Sequence, residues 1–299
     1  MKLHGIFAPL TTPFEADGNV ALGQVRNNVA LYNKTKLAGY VPNGSTSESV
    51  LLRWEEVYKV WEAVRDAAAP GKILIAGTGA ESTEETIEHT NRAAKIGYAV
   101  ALVRTPSFYK PSINDHMLAE HYWRVADAAR IPVMVYSVPV FTHVTVGTSL
   151  IERVGKHPNI VGMKDSSGDM KGIAAIIAAA PKEFQTLTGA ASSLYEALEL
   201  GAVGAILGLA DVFPDLCAEI YEAAGAGDRA KAQTLGQKLV IPSKMLIMDY
   251  GIAGLKYAME RLGFYGGLPR PPLLAVSDAG KVEIEAMLAN LLSQPAHLL

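Results

Sequence analysis

Short apolar or β-branched runs recur along the chain, and after each comes a stretch whose apolar residues return with helical spacing. In order the runs read "GIFAPLTTP", "GYVPNG", "KILIAGTG", "AVALVRTP", "PVMVYSVP", "IVGMKDS", "FQTLTG" and "AVGAILG". Between them lie amphipathic stretches such as "WEEVYKVWEAVRDAAA", "STEETIEHTNRAAKIG" and "NDHMLAEHYWRVADAAR". Strands that are apolar at nearly every position bury both faces, as a parallel sheet covered by helices requires. Each unit spans about 25–30 residues, enough for one strand and one crossover helix. Eight such units with no linker between them predict a closed (β/α)8 TIM barrel over residues 1–226. The tail, 227–299, is longer than one barrel helix needs. In it "DRAKAQTLGQKLVIPSKMLIM", "GIAGLKYAMERLGF" and "DAGKVEIEAMLANLLS" read as extra helices packed on the barrel, with "PRPP" as a breaker before the last.

Composition narrows the class. The chain has 299 residues, of which 49% are hydrophobic, and a net charge of −3. That supports a large core and leaves no electrostatic footprint for nucleic acid. A single cysteine, Cys217, excludes an internal disulfide framework and fits a reducing cytoplasm. The opening "MKLHGIFAPLTTPF" is too short and too broken by proline for a signal peptide, and no apolar run reaches membrane-spanning length. A soluble cytoplasmic protein, with no nucleic-acid or membrane partner, is the expectation.

In such a barrel the active site lies at the carboxyl ends of the strands. Those ends read "TTP", "NGSTSE", "GTG", "RTPSFY", "YSVP", "KDSSG", "LTG" and "LG", a set poor in charge. No carboxylate pair sits on neighbouring ends, which counts against glycoside hydrolysis. The seven histidines are scattered and no H-x-x-x-H spacing occurs, so no metal site is expected. Gly189 and Gly208 close the last two strands without a nearby lysine or arginine, which suits a small carboxylate on backbone N–H groups better than a phosphate. Against this background Lys164 stands out, since it ends an apolar strand. The ordinary reading is a solvated lysine, or one paired with Asp165. A lysine walled by apolar side chains instead loses hydration, which favours the free amine that adds to a ketone. Tyr136, at the same depth on the preceding strand, is either a proton-transfer phenol or a core tyrosine. Ser45 and Thr46 offer hydroxyls for a carboxylate clamp or merely cap a turn. Glu48 reads as a helix-start carboxylate.

Taken together, G-S-T-x-E at 44–48, "GTG" at 77–79, "TP" at 105–106, "YSVP" at 136–139, "GMKDSSGD" at 162–169 and "TG" at 188–189 resemble the dihydrodipicolinate synthase and N-acetylneuraminate lyase family, in the right order over nearly the whole chain. The resemblance implies Schiff-base chemistry on pyruvate or another 2-oxo acid, without a metal or other cofactor, in a homotetramer of two tight dimers. It makes Lys164 the Schiff-base lysine and Tyr136 the proton-transfer tyrosine. Ser45 and Thr46 then bind the pyruvyl carboxylate and relay protons, and Gly189 lines the carboxylate end of the pocket. Within the family, "YSVP", "NIVGMKDSSGD" and "GIAGLKYAMERLGFYGG" are most similar to the 4-hydroxy-2-oxoglutarate aldolases, in which the serine matching Ser166 contacts substrate.

Four departures stand out. Phe141 occupies the place of the arginine with which dihydrodipicolinate synthases hold their second substrate, and His143 replaces a usual glycine. Ser47 replaces the second glycine of G-x-x-G-E. Phe108 falls where the tyrosine donated across the dimer is usual, with Tyr109 beside it. Glu81 and Ser107 replace residues that bind the inhibitor lysine in many members, so inhibition by lysine is not expected. With no arginine at 141, cleavage of a hydroxylated 2-oxo acid, 4-hydroxy-2-oxoglutarate above all, to pyruvate and an aldehyde is the expected activity. Substrate contacts are then expected at Ser166, Phe141, His143 and Tyr109. The alternatives are condensation of pyruvate with aspartate semialdehyde, as in a dihydrodipicolinate synthase, and a non-catalytic 2-oxo acid sensor. A metal- or phosphate-dependent barrel enzyme is disfavoured by the strand ends.

Overall fold

All eight apolar runs become strands in the computed structural model, which describes residues 1–293. They are β1 (Gly5–Ala8), β2 (Gly39–Tyr40), β3 (Ile73–Gly77), β4 (Val100–Arg104), β5 (Val133–Ser137), β6 (Ile160–Asp165), β7 (Gln185–Thr188) and β8 (Gly204–Ile206). Each pairs in parallel with the next, and β1 pairs with β8 through Gly5↔Gly204 and Phe7↔Ile206, which closes the barrel. The expected fold is therefore present. Strands are shorter than the apolar runs where the sequence stops the ladder. In "GYVPNG", for example, Pro42 has no N–H to continue the pairing.

Successive side chains point to opposite sides of the sheet. One set (Phe7, Ile75, Leu102, Met134, Tyr136, Leu187 and Ile206) packs together in one cluster, the barrel interior. The alternate set on β4 and β5, Ala101, Val103, Val133 and Val135, packs with the helices outside. The register aligns Arg104 with Tyr136, Tyr136 with Lys164 and Lys164 with Leu187, so these four share one height near the carboxyl ends.

The last barrel helix is Pro214–Gly225, and helices Arg229–Gln237, Gly251–Arg261 and Asp278–Leu292 follow. Leu235, Leu255, Met259 and Ile284 from these helices join the same apolar cluster as Ile6, Leu10 and Val212. The long helix expected over "DRAKAQTLGQKLVIPSKMLIM" is broken. It ends at Gln237, resumes at Val240–Ser243 and widens into a π-helix at Lys244–Asp249. Pro242 explains the break, because it lacks an N–H and its ring crowds the preceding turn. Residues 294–299 of the expected helical tail lie outside the described ones.

Candidate active site

Lys164 projects into the barrel mouth, 4% exposed, with its Nζ 4.3 Å from the centre of the Tyr136 ring. The pairing with Asp165 does not occur. Asp165 points to the other side of the sheet and accepts hydrogen bonds from the Ser167 N–H (2.9 Å) and hydroxyl (2.5 Å). Among the described residues the Lys164 ammonium has no carboxylate partner within ion-pair distance. Tyr136 Oη and Ser45 Oγ share a hydrogen bond of 3.3 Å, which brings the clamp loop to the lysine. Gly189 faces them across the mouth. A β-carbon there would land on Ser166 Oγ and lie 2.9 Å from Lys164 Cε, so any larger residue would have to displace Ser166. Lys164, Tyr136, Ser45, Ser166 and Gly189 thus form one contiguous group. Thr46 sits at its edge, where a β-carbon on Gly208 would be 3.7 Å from Thr46 Oγ1.

The serine that replaces a glycine in the clamp loop causes no disorder. Ser47 is buried, and its hydroxyl donates to Leu10 O at 2.5 Å and accepts from the Gly44 N–H at 3.2 Å. Thr12 Oγ1 donates to Ser47 O at 2.7 Å, so the loop is stitched to the end of β1.

Glu48 is not the helix-start carboxylate that its position suggested. Its backbone is left-handed (φ 59°), which turns the side chain into the interior. There Oε1 pairs with Lys256 Nζ at 2.6 Å, both side chains fully buried, and Oε2 accepts from the Arg270 N–H at 2.7 Å. Lys256 also donates to Leu268 O at 3.1 Å. Burial pushes the Lys256 amine below its ordinary range, and Glu48 opposes that shift. Arg270 in turn makes a two-pronged pair with Glu56, both bonds 2.7 Å. The Phe14 ring lies against both cations, 4.5 Å from Lys256 Nζ and 4.4 Å from Arg270 Cζ. The helical tail is thereby fastened to the clamp loop.

Arg104 is the charged group at the mouth that the sequence reading passed over. It ends the apolar run "AVALVRTP" in the same way that Lys164 ends its own, and that signal was available. With Asn43, Ser45, Ser49 and Tyr136 it lines a narrow cleft. Glu81 Oε1 accepts from Arg104 Nη1 at 2.7 Å. Burial pushes the Glu81 carboxyl up, but the Ser107 N–H, Arg104 and the Phe108 N–H outweigh it and hold the carboxyl below its ordinary value. Phe108, Tyr109 and Phe141 are 74%, 73% and 64% exposed, and His143 is exposed too. These four stand apart from the contacts that join Lys164, Tyr136 and Ser45. A larger crevice of about 630 Å³ lies between the Phe14–Gly18 turn and the segment before the last helix, and no strand end reaches it. Among the described residues no three His, Cys, Asp or Glu side chains are placed to hold a metal ion, and no helix is long and apolar enough to cross a membrane.

The model of the dihydrodipicolinate synthetase family matches residues 2–291. The chain belongs to that family. A 4-hydroxy-tetrahydrodipicolinate synthase of Methanothrix thermoacetophila is 34% identical over 288 residues, covering 96% of each chain. One from Rhizobium meliloti is 35% identical over 288 residues, 96% of this chain and 97% of its own. Among solved structures, the chloride-inhibited dihydrodipicolinate synthase of Acinetobacter baumannii complexed with pyruvate superposes with a TM-score of 0.92. It is 29% identical, covering 97% of this chain and 99% of that one. As a member of the dihydrodipicolinate synthetase family, this chain is a class I, pyruvate-dependent carbon–carbon lyase that works through a covalent Schiff base.

Proposed function

We propose that the group around Lys164 is the active site and that it joins pyruvate to aspartate semialdehyde, the reaction expected of a dihydrodipicolinate synthase. The observation that carries the Schiff-base site is the Lys164 amine itself, buried at the mouth over the Tyr136 ring, with no carboxylate within ion-pair distance among the described residues. The free amine adds to the C2 carbonyl of pyruvate, and loss of water leaves an iminium. Loss of a C3 proton then gives an enamine, whose C3 attacks the aldehyde carbon. The aldehyde oxygen takes up a proton as the iminium re-forms. A nucleophile at C2, water or the partner's own amine, finally frees Lys164. Ser45 and Thr46 hold the C1 carboxylate, and Tyr136, bonded to Ser45, moves the protons. Gly189 leaves room for the carboxylate end beside Lys164 and Ser166.

The relatives' names support condensation, whereas the sequence reading expected cleavage of 4-hydroxy-2-oxoglutarate. That expectation rested on the likeness of "YSVP", "NIVGMKDSSGD" and "GIAGLKYAMERLGFYGG" to the 4-hydroxy-2-oxoglutarate aldolases and on the missing arginine at Phe141. It loses weight because another arginine, Arg104, enters the mouth from β4. Cleavage remains the second reading, favoured by Phe141 and by those three segments. The assembly we propose is a homotetramer of two dimers.

Borohydride reduction in the presence of pyruvate tests the site. A pyruvyl mass should appear on the peptide containing Lys164, and Lys164→Ala should abolish it while the protein stays folded. Undiminished trapping in the variant puts the nucleophile elsewhere. Coupled assays of both substrates on one preparation test the partner. A higher kcat/KM for 4-hydroxy-2-oxoglutarate than for the semialdehyde would hand the assignment to cleavage.

A further inference from the structure

The pyruvate half of the reaction leaves one cation at the mouth without a task. Arg104 closes β4 on the interior side, level with Tyr136 and Lys164 in the sheet register. Its Cγ and backbone lie where a β-carbon on Gly79 would press within 2.8 Å, so Gly79 leaves the room in which the side chain lies. Nη1 donates to Glu81 Oε1 at 2.7 Å and to Thr105 O at 3.4 Å. Nε and Nη2 have no hydrogen-bond partner among the described residues, and the side chain, 20% exposed, lines the cleft with Ser45, Ser49 and Tyr136.

A purely structural tie to Glu81 would explain Nη1 but not the rest of the guanidinium. Glu81 is held without Arg104, since it also accepts from the Ser107 N–H (2.8 Å), the Ser107 hydroxyl (3.2 Å) and the Phe108 N–H (3.0 Å). A guanidinium has five donors in a fixed fork, and one occupied nitrogen leaves an edge suited to a second carboxylate. Among the described residues no other arginine or lysine lines this cleft. Lys164 is the proposed nucleophile, and Phe141 carries no charge.

We infer that Arg104 receives the distal carboxylate of the aldehyde partner, and that Glu81 is the positioning residue that holds the guanidinium edge toward the cleft. This rests on the proposed pyruvate-enamine reading. It makes the enzyme selective for aldehydes bearing a carboxylate a few bonds from the reacting carbon. The carboxylate is then recognised from β4 rather than from the loop after β5.

The test compares two aldehydes of equal carbon count with pyruvate as co-substrate, succinic semialdehyde and butyraldehyde, in wild type and Arg104→Gln. Product formation is read by mass spectrometry, and pyruvate trapping on Lys164 is read in parallel. The wild type should favour the charged aldehyde. Arg104→Gln should lose about ten- to a hundredfold in kcat/KM for succinic semialdehyde, the usual size of a charge-assisted bond, and little for butyraldehyde. Arg104→Lys keeps the charge without the fork and should retain part of the preference, which covers the case in which the glutamine variant fails to fold. Trapping that persists while the two aldehydes are affected equally, or not at all, overturns the role of Arg104. Absence of trapping in the wild type overturns the enamine reading beneath it.

Discussion

The 3.3 Å bond between Ser45 Oγ and Tyr136 Oη places two linked hydroxyls beside Lys164, the pair proposed to carry protons. Removing the phenol should therefore separate proton transfer from covalent capture. Tyr136→Phe is expected to slow turnover roughly a hundredfold or more, the usual weight of general acid–base catalysis, while borohydride trapping of pyruvate persists. Wild-type turnover in that variant would make Tyr136 a core residue. Gly189 tests the space on the other side of the lysine. In Gly189→Ala the new methyl meets Ser166 and lies 2.9 Å from Lys164 Cε, and such overpacking costs about 1–3 kcal/mol. Timed borohydride quenching should show pyruvate capture slowed by about tenfold or more, and unchanged capture would mean that the mouth relaxes freely. Lys164, Tyr136, Ser45 and Gly189 were legible in the sequence because each sits where an apolar run stops, and strand ends are where such barrels do chemistry. Arg104 meets the same criterion, since it ends the run "AVALVRTP", but the family pattern places its arginine at position 141 instead. The Glu48–Lys256 pair had no local signal. A lysine in "GLKYAME" looks like any solvated helix lysine until its partner, 208 positions away, is known.

Helices and strands were legible to the extent that their burial is periodic. Near-continuous apolar runs marked all eight strands, whereas the broken helix around Pro242 hid its π-turn within an uninterrupted apolar pattern. Two contacts between elements carry measurable predictions. Helix Gly251–Arg261 meets the clamp loop through Lys256 and Glu48, both fully buried. Lys256→Met strands a buried carboxylate and should cost about 3–5 kcal/mol in urea unfolding, whereas Lys256→Met with Glu48→Gln should recover part of that loss. Equal losses in the single and double variants would show that the charge itself is not what matters. Helix Asp115–Ala128 presents His121 to Thr83 at the start of the preceding barrel helix, Nδ1 3.0 Å from Oγ1, with Nε2 buried and unbonded. Burial pushes the His121 imidazole down from 6.5 to about 4. As pH falls, the unfolded chain binds this proton first, so the contribution is fully present above about 6.5 and is lost on the way to about 4. The loss reaches roughly 3 kcal/mol at most. Urea midpoints should fall between neutral pH and about 4.5, and His121→Gln should flatten that slope. An unchanged slope would assign the acid sensitivity to other groups.

Across the whole molecule, exposed apolar side chains occur in several places, and one such place is the pair of loops after β4 and β5. Phe108 and Tyr109 stack edge to face at 5.1 Å after β4, and Val140 and Phe141, 53% and 64% exposed, follow β5. If this surface serves the proposed homotetramer, Phe108→Ser with Tyr109→Ser should lower the mass seen by light scattering. An unchanged mass would place the subunit contacts elsewhere. The latch between Glu48 and Lys256 bears on how the molecule is made. The carboxylate is translated 208 residues before its cation. At roughly 5–20 residues per second, that interval lasts on the order of ten to forty seconds. Throughout it the nascent chain has the first barrel strands but not the partner that holds its clamp loop inward. The loop is encoded near the start of the gene and finished near the end of synthesis. A ribosome stalled before residue 256 therefore carries most of the barrel with the loop around Glu48 still unfastened.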